Sequence, residues 1–215
     1  MRVKVIGAGL AGSEATYQLV KQGVKVDLYE MRGVKNTEAH ETTNFSELVC
    51  SNSLRSNDIT NAVGLLKEEL RELDSLIMKS ADKNQIEAGT ALAVDRNQFS
   101  LDITNYLKNH PLVTFHNEEV VTLDDSYTII ATGPLTSEEF SLYLKKYLNQ
   151  EDLYFFDAVA PIVLESSIDK SKAYLKNRYD KGEVSYYNCP LTEEEYDVFY
   201  QALIEAEKVK PKDFE

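Results

Sequence analysis

Three glycines near the amino terminus constrain this chain more than any other feature. "RVKVI" at 2–6 is a short apolar run, and it leads directly into "GAGLAG" at 7–12. Apolar or small residues then recur at 11, 15 and 19, a helical spacing, and Gly23 is placed to stop that helix. "VKVDLYE" at 24–30 reads as a second strand, which closes a β-α-β unit. In such a unit each glycine of G-x-G-x-x-G has a task. Gly7 permits the tight turn, Gly9 lets backbone approach a pyrophosphate, and Gly12 lets the helix pack closely on the strand. The helix start offers free N–H groups and partial positive charge to phosphates. Glu30, at the end of the second strand, is placed to accept hydrogen bonds from the ribose hydroxyls of an adenosine. The expectation is an α/β, Rossmann-like domain that holds a dinucleotide through Gly7, Ala8, Gly9, Leu10, Ala11, Gly12 and Glu30. A glycine turn with a purely structural role is the competing reading, and the frame with its acid in place disfavours it.

NAD and FAD share this fingerprint. "TIIATGP" at 128–134 separates them, because an apolar strand ending in Ala-Thr-Gly resembles the second flavin-contacting strand of the glutathione-reductase-like flavoproteins. Gly133 would allow the close approach of backbone to cofactor there. A glycine turn after any strand is the alternative at that position. Together with the amino-terminal fingerprint, the segment makes FAD the expected cofactor.

Other segments are read from their periodicity. Residues 31–60 are polar, turn-rich and aperiodic, and are expected to form a long excursion from the sheet, of the kind that is often functional. "NAVGLLKEELRELDSLIMKSAD" predicts one amphipathic helix with an apolar stripe at 62, 66, 70, 73 and 77. Phe99, Ile103 and Leu107 predict a helix over 97–110, and "PLVTFHNEEVVTL" and "SYTIIATGP" predict strands. An acidic helix is expected over 192–209, capped by Thr192 with Glu195 three residues on. Tyrosine and lysine become frequent beyond 150, so the domains are drawn at 1–152 and 153–215.

Composition limits function. The net charge of −13 argues against non-specific nucleic-acid binding over the whole surface. A local basic stretch at 166–182 carries Lys170, Lys172, Lys176, Arg178 and Lys181 against Asp169 and Asp180; a solvated mixed-charge element is its simpler reading. The apolar runs are too short to span a bilayer, and the amino terminus lacks the apolar core of a signal peptide. Two cysteines, Cys50 and Cys189, make neither a disulfide framework nor a zinc cluster, so no metal is expected. A cytoplasmic protein with reduced thiols is expected.

Cys50 stands in "TNFSELVCSNSLRS" at 43–56, within the excursion after the second strand and so near the strand ends where open α/β sheets bind ligands. A buried structural cysteine is its commonplace reading. Disulfide reduction is excluded, because that chemistry needs a second thiol close by. The words "FSELVCSNSLRSNDITNAVGLLKEELRELDSLI", "GTALAVDRNQFS", "DAVAPIV", "KNRYDKGE" and "YYNCPLTEEEYDVFY" resemble the folate- and FAD-dependent tRNA (uracil-5-)-methyltransferase family over essentially the entire chain.

The resemblance implies a glutathione-reductase-type FAD domain over 1–152 and the start of an inserted domain over 153–215. It also implies methylenetetrahydrofolate as carbon donor, NAD(P)H as reductant and C5 of a T-loop uridine in tRNA as acceptor. Uracil C5 becomes nucleophilic only after a thiolate adds at C6, and a base must then remove the C5 proton. On this resemblance Cys50 is that base, and Cys189 matches a family cysteine that is not the nucleophile. The nucleophile is expected in a Gly-Cys-x-Pro segment beyond Glu215, which makes the chain resemble the amino-terminal part of such an enzyme. A ribosomal RNA target, an FAD-dependent NAD(P)H oxidoreductase without RNA, and an inactive fragment remain open as alternatives.

Overall fold

The structure is a computed structural model, and it describes residues 1–37, 39–149, 163–177, 184 and 186–207. Strand β1 (Arg2–Ile6), helix α1 (Leu10–Lys21) and strand β2 (Lys25–Tyr29) form the anticipated β-α-β unit. The two strands pair in parallel from Arg2 with Lys25 to Ile6 with Tyr29. After β2 the chain leaves the sheet, adds strand β3 (Ser53–Ser56), helices α2 (Ala62–Glu72) and α3 (Leu76–Lys83), and strands β4 (Gln85–Ile86) and β5 (Ala91–Val94). It returns through helix α4 (Arg96–Lys108) to strand β6 (Val113–His116), then strand β7 (Thr128–Ile130). Among the described residues the main sheet has the order β6-β2-β1-β7, and every neighbouring pair is parallel. A crossover between parallel strands needs a long connection, and α1 supplies the first. The fold is α/β and Rossmann-like, as expected.

Alternation in the strands decides which face is buried. Val3, Val5, Val26 and Leu28 point to one side and pack with Tyr17 and Val20 of α1 and with Phe99, Ile103 and Leu107 of α4. A smaller cluster of Ile6, Phe140 and Leu144 forms on the other side. Phe140 and Leu144 belong to helix α5 (Glu138–Leu148), which was not anticipated from the sequence. Ser137 caps α5 by accepting from the Phe140 N–H, and Glu138 and Glu139 favour its positive end.

The single helix expected over 61–82 is two. Asp74 takes a left-handed backbone (φ 60°), and Ser75 starts α3 by accepting from the Met78 N–H. Contacts to α1 hold the break open. Lys21 and Lys79 reach the Asp74 carboxylate at 2.9 and 2.5 Å, and Glu14 accepts from the Ser75 hydroxyl and the Ile77 N–H. Their hydrogen bonds hold Asp74 down at about 2. The expected stripe holds only in part: Leu70 and Ile77 pack against the core, Leu66 and Leu73 are exposed, and Gly64 and Lys67 are buried. Gly64 lies so close to the preceding loop that a Cβ would stand 1.9 Å from the Asp58 carbonyl oxygen, so α2 packs through a glycine.

Two more expectations are corrected. The excursion over 31–60 contains β3, which pairs antiparallel with β5. "PLVTFHNEEVVTL" is a strand only over Val113–His116. Beyond 163, strands β8 (Tyr174–Leu175) and β9 (Tyr187–Asn188) pair antiparallel, and the Tyr186 hydroxyl donates to the Ala88 carbonyl at 3.0 Å. Helix α6 (Glu193–Glu205) carries the expected capping box between Thr192 and Glu195. The expected boundary at 152, part of the basic 166–182 stretch, and residues 208 and 209 of the expected helix lie outside the described residues. No helix among the described residues is long and apolar enough to cross a membrane.

Candidate dinucleotide site

β1 ends at Ile6, and Gly7 turns the chain with φ 96°, a conformation that favours glycine. Space demands glycine as well. A Cβ at Gly7 would stand 2.5 Å from the Ala131 carbonyl oxygen, and one at Gly12 would stand 1.8 Å from the Gly7 carbonyl oxygen. Around Gly9 a Cβ would meet nothing within 4 Å, so its backbone borders open space. Gly9 caps α1 without a side-chain hydrogen bond, which leaves the first-turn N–H groups for a ligand. The excursion docks on this turn: the Ser46 N–H donates to the Ala8 carbonyl at 2.8 Å.

Glu30 is buried, and its bonds tie β2 to the glycine turn. Oε2 accepts from the Ala8 N–H at 2.9 Å and from Arg32 Nη2 at 3.1 Å, and Oε1 accepts from the Arg32 N–H at 3.0 Å. Burial opposes the charge on Glu30, but the hydrogen bonds and positive charge of Arg32, with the Ala8 N–H, outweigh it and hold the carboxyl below its ordinary value. Asn117 Nδ2 donates to the Glu30 and Arg32 carbonyls at 2.9 and 2.7 Å and fixes this backbone. Arg32 is itself buried, and its Nη1 lies 3.6 Å from Glu47 Oε2. Glu47 is occupied by the Thr42 hydroxyl and the Glu41 and Thr42 N–H groups. Burial works against its charge as well, and those bonds still hold its carboxyl low.

These groups surround one pocket of about 320 Å³ at the carboxyl ends of β1, β2 and β7. Of the residues singled out from the sequence, Gly7, Gly9, Leu10, Ala11, Glu30 and Gly133 line it. Gly133 takes φ 64° with open space over its α-carbon, as a close backbone approach requires. Ala8 and Gly12 do not line the pocket. Ala8 is fully buried with its N–H given to Glu30, and Gly12 is packed against Gly7. Cys50 is exposed and stands just outside, next to Val49, which lines the wall. Arg96 Nη1 steadies that segment by donating to the Leu48 carbonyl at 3.3 Å.

Sequence reasoning missed Arg32 and Glu47. The signal for Arg32 was an arginine two residues beyond the acid and just before Gly33, which takes φ 97°. Nothing in the spacing marks Glu47, which reaches the site through the fold of the excursion.

A parallel sheet, a glycine turn against a helix start and an acid at the second strand end define a dinucleotide-binding α/β protein. The chain belongs to the family described as glucose inhibited division protein A, whose model matches residues 2–215. It is 62% identical over 213 residues to a Listeria welshimeri protein named methylenetetrahydrofolate--tRNA-(uracil-5-)-methyltransferase TrmFO, covering 99% of this chain and 49% of that one. A Bacillus pumilus protein of the same name is 61% identical over the same length. The chain thus spans about half the length of the curated relatives it matches. Among solved structures, Aquifex aeolicus GidA in its form II crystal matches with a TM-score of 0.54 at 16% identity, over 68% of this chain and 30% of that one, a likeness of fold.

Proposed function

We propose that this chain holds FAD and forms part of a methylenetetrahydrofolate- and FAD-dependent tRNA (uracil-5-)-methyltransferase. The observation that carries the reading is the convergence of Gly7, Gly9, Glu30 and Gly133 on one pocket, in a chain 62% identical to a relative of that name. The residues present fit the cofactor: Gly9 and the first turn of α1 leave backbone free for a pyrophosphate, Glu30 has acceptor capacity for a ribose, and Gly133 gives open backbone on the opposite wall. When bound, FAD would supply the redox chemistry that completes the methyl group, drawing reducing equivalents from NAD(P)H. The protein's own tasks are to exclude water, hold the substrates and move a proton. Cys50, exposed beside the pocket wall, is the base for the C5 proton of the uridine. Residues 1–152 form the cofactor domain and 153–215 begin a second one; the setting is the cytoplasm.

The first test is the visible absorption of the purified chain after mixing with FAD and gel filtration. A flavin spectrum that travels with the protein is expected, and colourless protein overturns the cofactor assignment. A second test uses a longer version of the protein that includes the Gly-Cys-x-Pro segment expected beyond Glu215, and supplies it with FAD, NADPH, methylenetetrahydrofolate labelled in its methylene carbon, and tRNA lacking the T-loop methyl group. Label in uracil C5 is expected, and Cys50→Ala should abolish it while leaving FAD bound. Equal incorporation by the variant removes Cys50 from the chemistry.

A further inference from the structure

Arg55 is held in a costly backbone conformation while its side chain stays unused. It stands in β3 with φ 66°, where the pairing of β3 with β5 shifts register between Ser53 and Ser56. A non-glycine residue in the left-handed region is strained, and it persists only where its surroundings over-determine it. They do so here. The Arg55 N–H donates to Ser53 Oγ at 3.0 Å, Asn61 Nδ2 donates to Ser56 Oγ at 2.7 Å, and Lys67 Nζ donates to the Ser56 carbonyl at 2.9 Å. Leu54, one residue back, packs against the core. This framework presents an exposed guanidinium that makes no hydrogen bond or ion pair among the described residues.

Lys67, bonded to the carbonyl of the next residue, is the second sign. It is only 7% exposed, and its ammonium meets the Ser56 and Val63 carbonyls and, among the described residues, no carboxylate. Buried charges are ordinarily paired. Burial, then the positive charges of Arg71 and Arg55, push Lys67 below its ordinary value, so the Arg55 charge is felt at the buried ammonium. Arg71 is already met by Asp82 and Glu68. Two neighbouring cations are left without a counter-ion.

Their place identifies the anion. Arg55 follows Cys50 on one short exposed segment, and neither residue lines the dinucleotide pocket. A uridine that reaches the Cys50 thiol brings its flanking phosphates along this segment. The net charge of −13 repels a polyanion at long range, so RNA must be gripped by local cations. The planar guanidinium fork matches phosphate oxygens. We infer that Arg55, backed by the charge of Lys67, binds a backbone phosphate of the RNA beside the uridine to be methylated. The inference rests on the function proposed above and assigns a residue that positions its RNA.

The test follows methylation by the longer protein described above, with tRNA lacking the T-loop methyl group, over a series of salt concentrations. Arg55→Asn removes the charge and leaves a residue at home in left-handed backbone. It should raise the KM for tRNA at least ~10-fold, the value of one charge-assisted hydrogen bond, and lower the slope of log KM against log salt by about 1. The KM for methylenetetrahydrofolate and kcat at saturating tRNA should not move. Arg55→Lys keeps the charge and should recover part of the loss. In the purified chain, Arg55→Gly relieves the strained backbone and should raise the urea midpoint, which would show that the arginine is kept at a cost in stability. An unchanged KM for tRNA overturns the inference, and so does a rise in the KM for methylenetetrahydrofolate alone, which would give the arginine to a folate carboxylate. A lower urea midpoint for Arg55→Gly overturns it too, by making the side chain part of the scaffold. If the unsubstituted longer protein methylates no tRNA, the proposed function falls and this inference with it, whereas full methylation by both charge variants removes Arg55 alone.

Discussion

The two faces of the main sheet are built to different rules. One carries Val3, Val5, Val26 and Leu28, joined by Val113 and Phe115, and is covered by α1 and α4. The other carries Arg2, Lys4, Asp27, Tyr29, Thr114 and His116, and among the described residues it has one small apolar cluster, around Ile6 and α5. Parallel sheets usually bury both faces under near-continuous apolar strands. Here "RVKVI", "KVDLY" and "VTFH" alternate instead, and the polar face is knitted by Arg2 to Asp27, Lys4 to Asp124 and His116 to Asp27, with Tyr29 stacked on His116 at 4.4 Å. The pocket opens on this second side, through Ile6, Tyr29 and Phe140. Among the described residues the larger core lies on one face, and the candidate ligand site lies on the other.

This contrast is open to direct tests. Phe45 is fully buried in the large cluster, tilted against Phe115 at 5.2 Å, and Phe45→Ala should cost about 4 kcal/mol in urea unfolding. Phe140→Ala, in the small cluster, should cost less, about 2–3 kcal/mol, because half-buried Val120, Leu123 and Tyr143 are free to close the gap. A larger loss at Phe140 than at Phe45 would reverse the assignment of the faces. Asp27→Asn removes the negative charge that faces Arg2 and His116 at this partly exposed site and should change stability by about 1 kcal/mol or less.

The smallest effect concerns acid. Hydrogen bonds from Lys4 and Ser126 hold Asp124 well below the usual carboxylate range, so its contribution is present above the unfolded value of about 3.9 and fades as pH falls through the folded one. Urea midpoints of the unsubstituted protein and Lys4→Met should therefore differ at pH 7 and converge as the pH is lowered below about 4. A constant difference would show that Lys4 acts through its contact with the Tyr29 ring instead.

What was legible in the sequence follows the same division. The glycine turn, α1 and β2 could be read because glycine spacing and strand alternation are local properties, and the structure assembles them as read. α4 was legible through Phe99, Ile103 and Leu107, all fully buried. The break at Asp74 was not, since Leu73 continues a helical stripe and the cause lies in Glu14, Lys21 and Lys79. α5 carries a start signal at Ser137-Glu138-Glu139, masked in the sequence by the turn residues Gly133 and Pro134 just before it. Arg32 was hidden for a different reason. Arginine is ordinarily exposed, and only the folded excursion brings Glu47 close enough to help bury it.

The bond between Glu30 and the Ala8 N–H has a kinetic consequence. Strand end and glycine turn are fastened together by the protein's own groups, and Asn117 fastens the Glu30 and Arg32 carbonyls, so this wall stands before a ligand arrives. A nucleotide entering it has little backbone to rearrange. Its association rate should rise linearly with ligand concentration, without a plateau set by loop closure, and tighter analogues should differ chiefly in how slowly they leave.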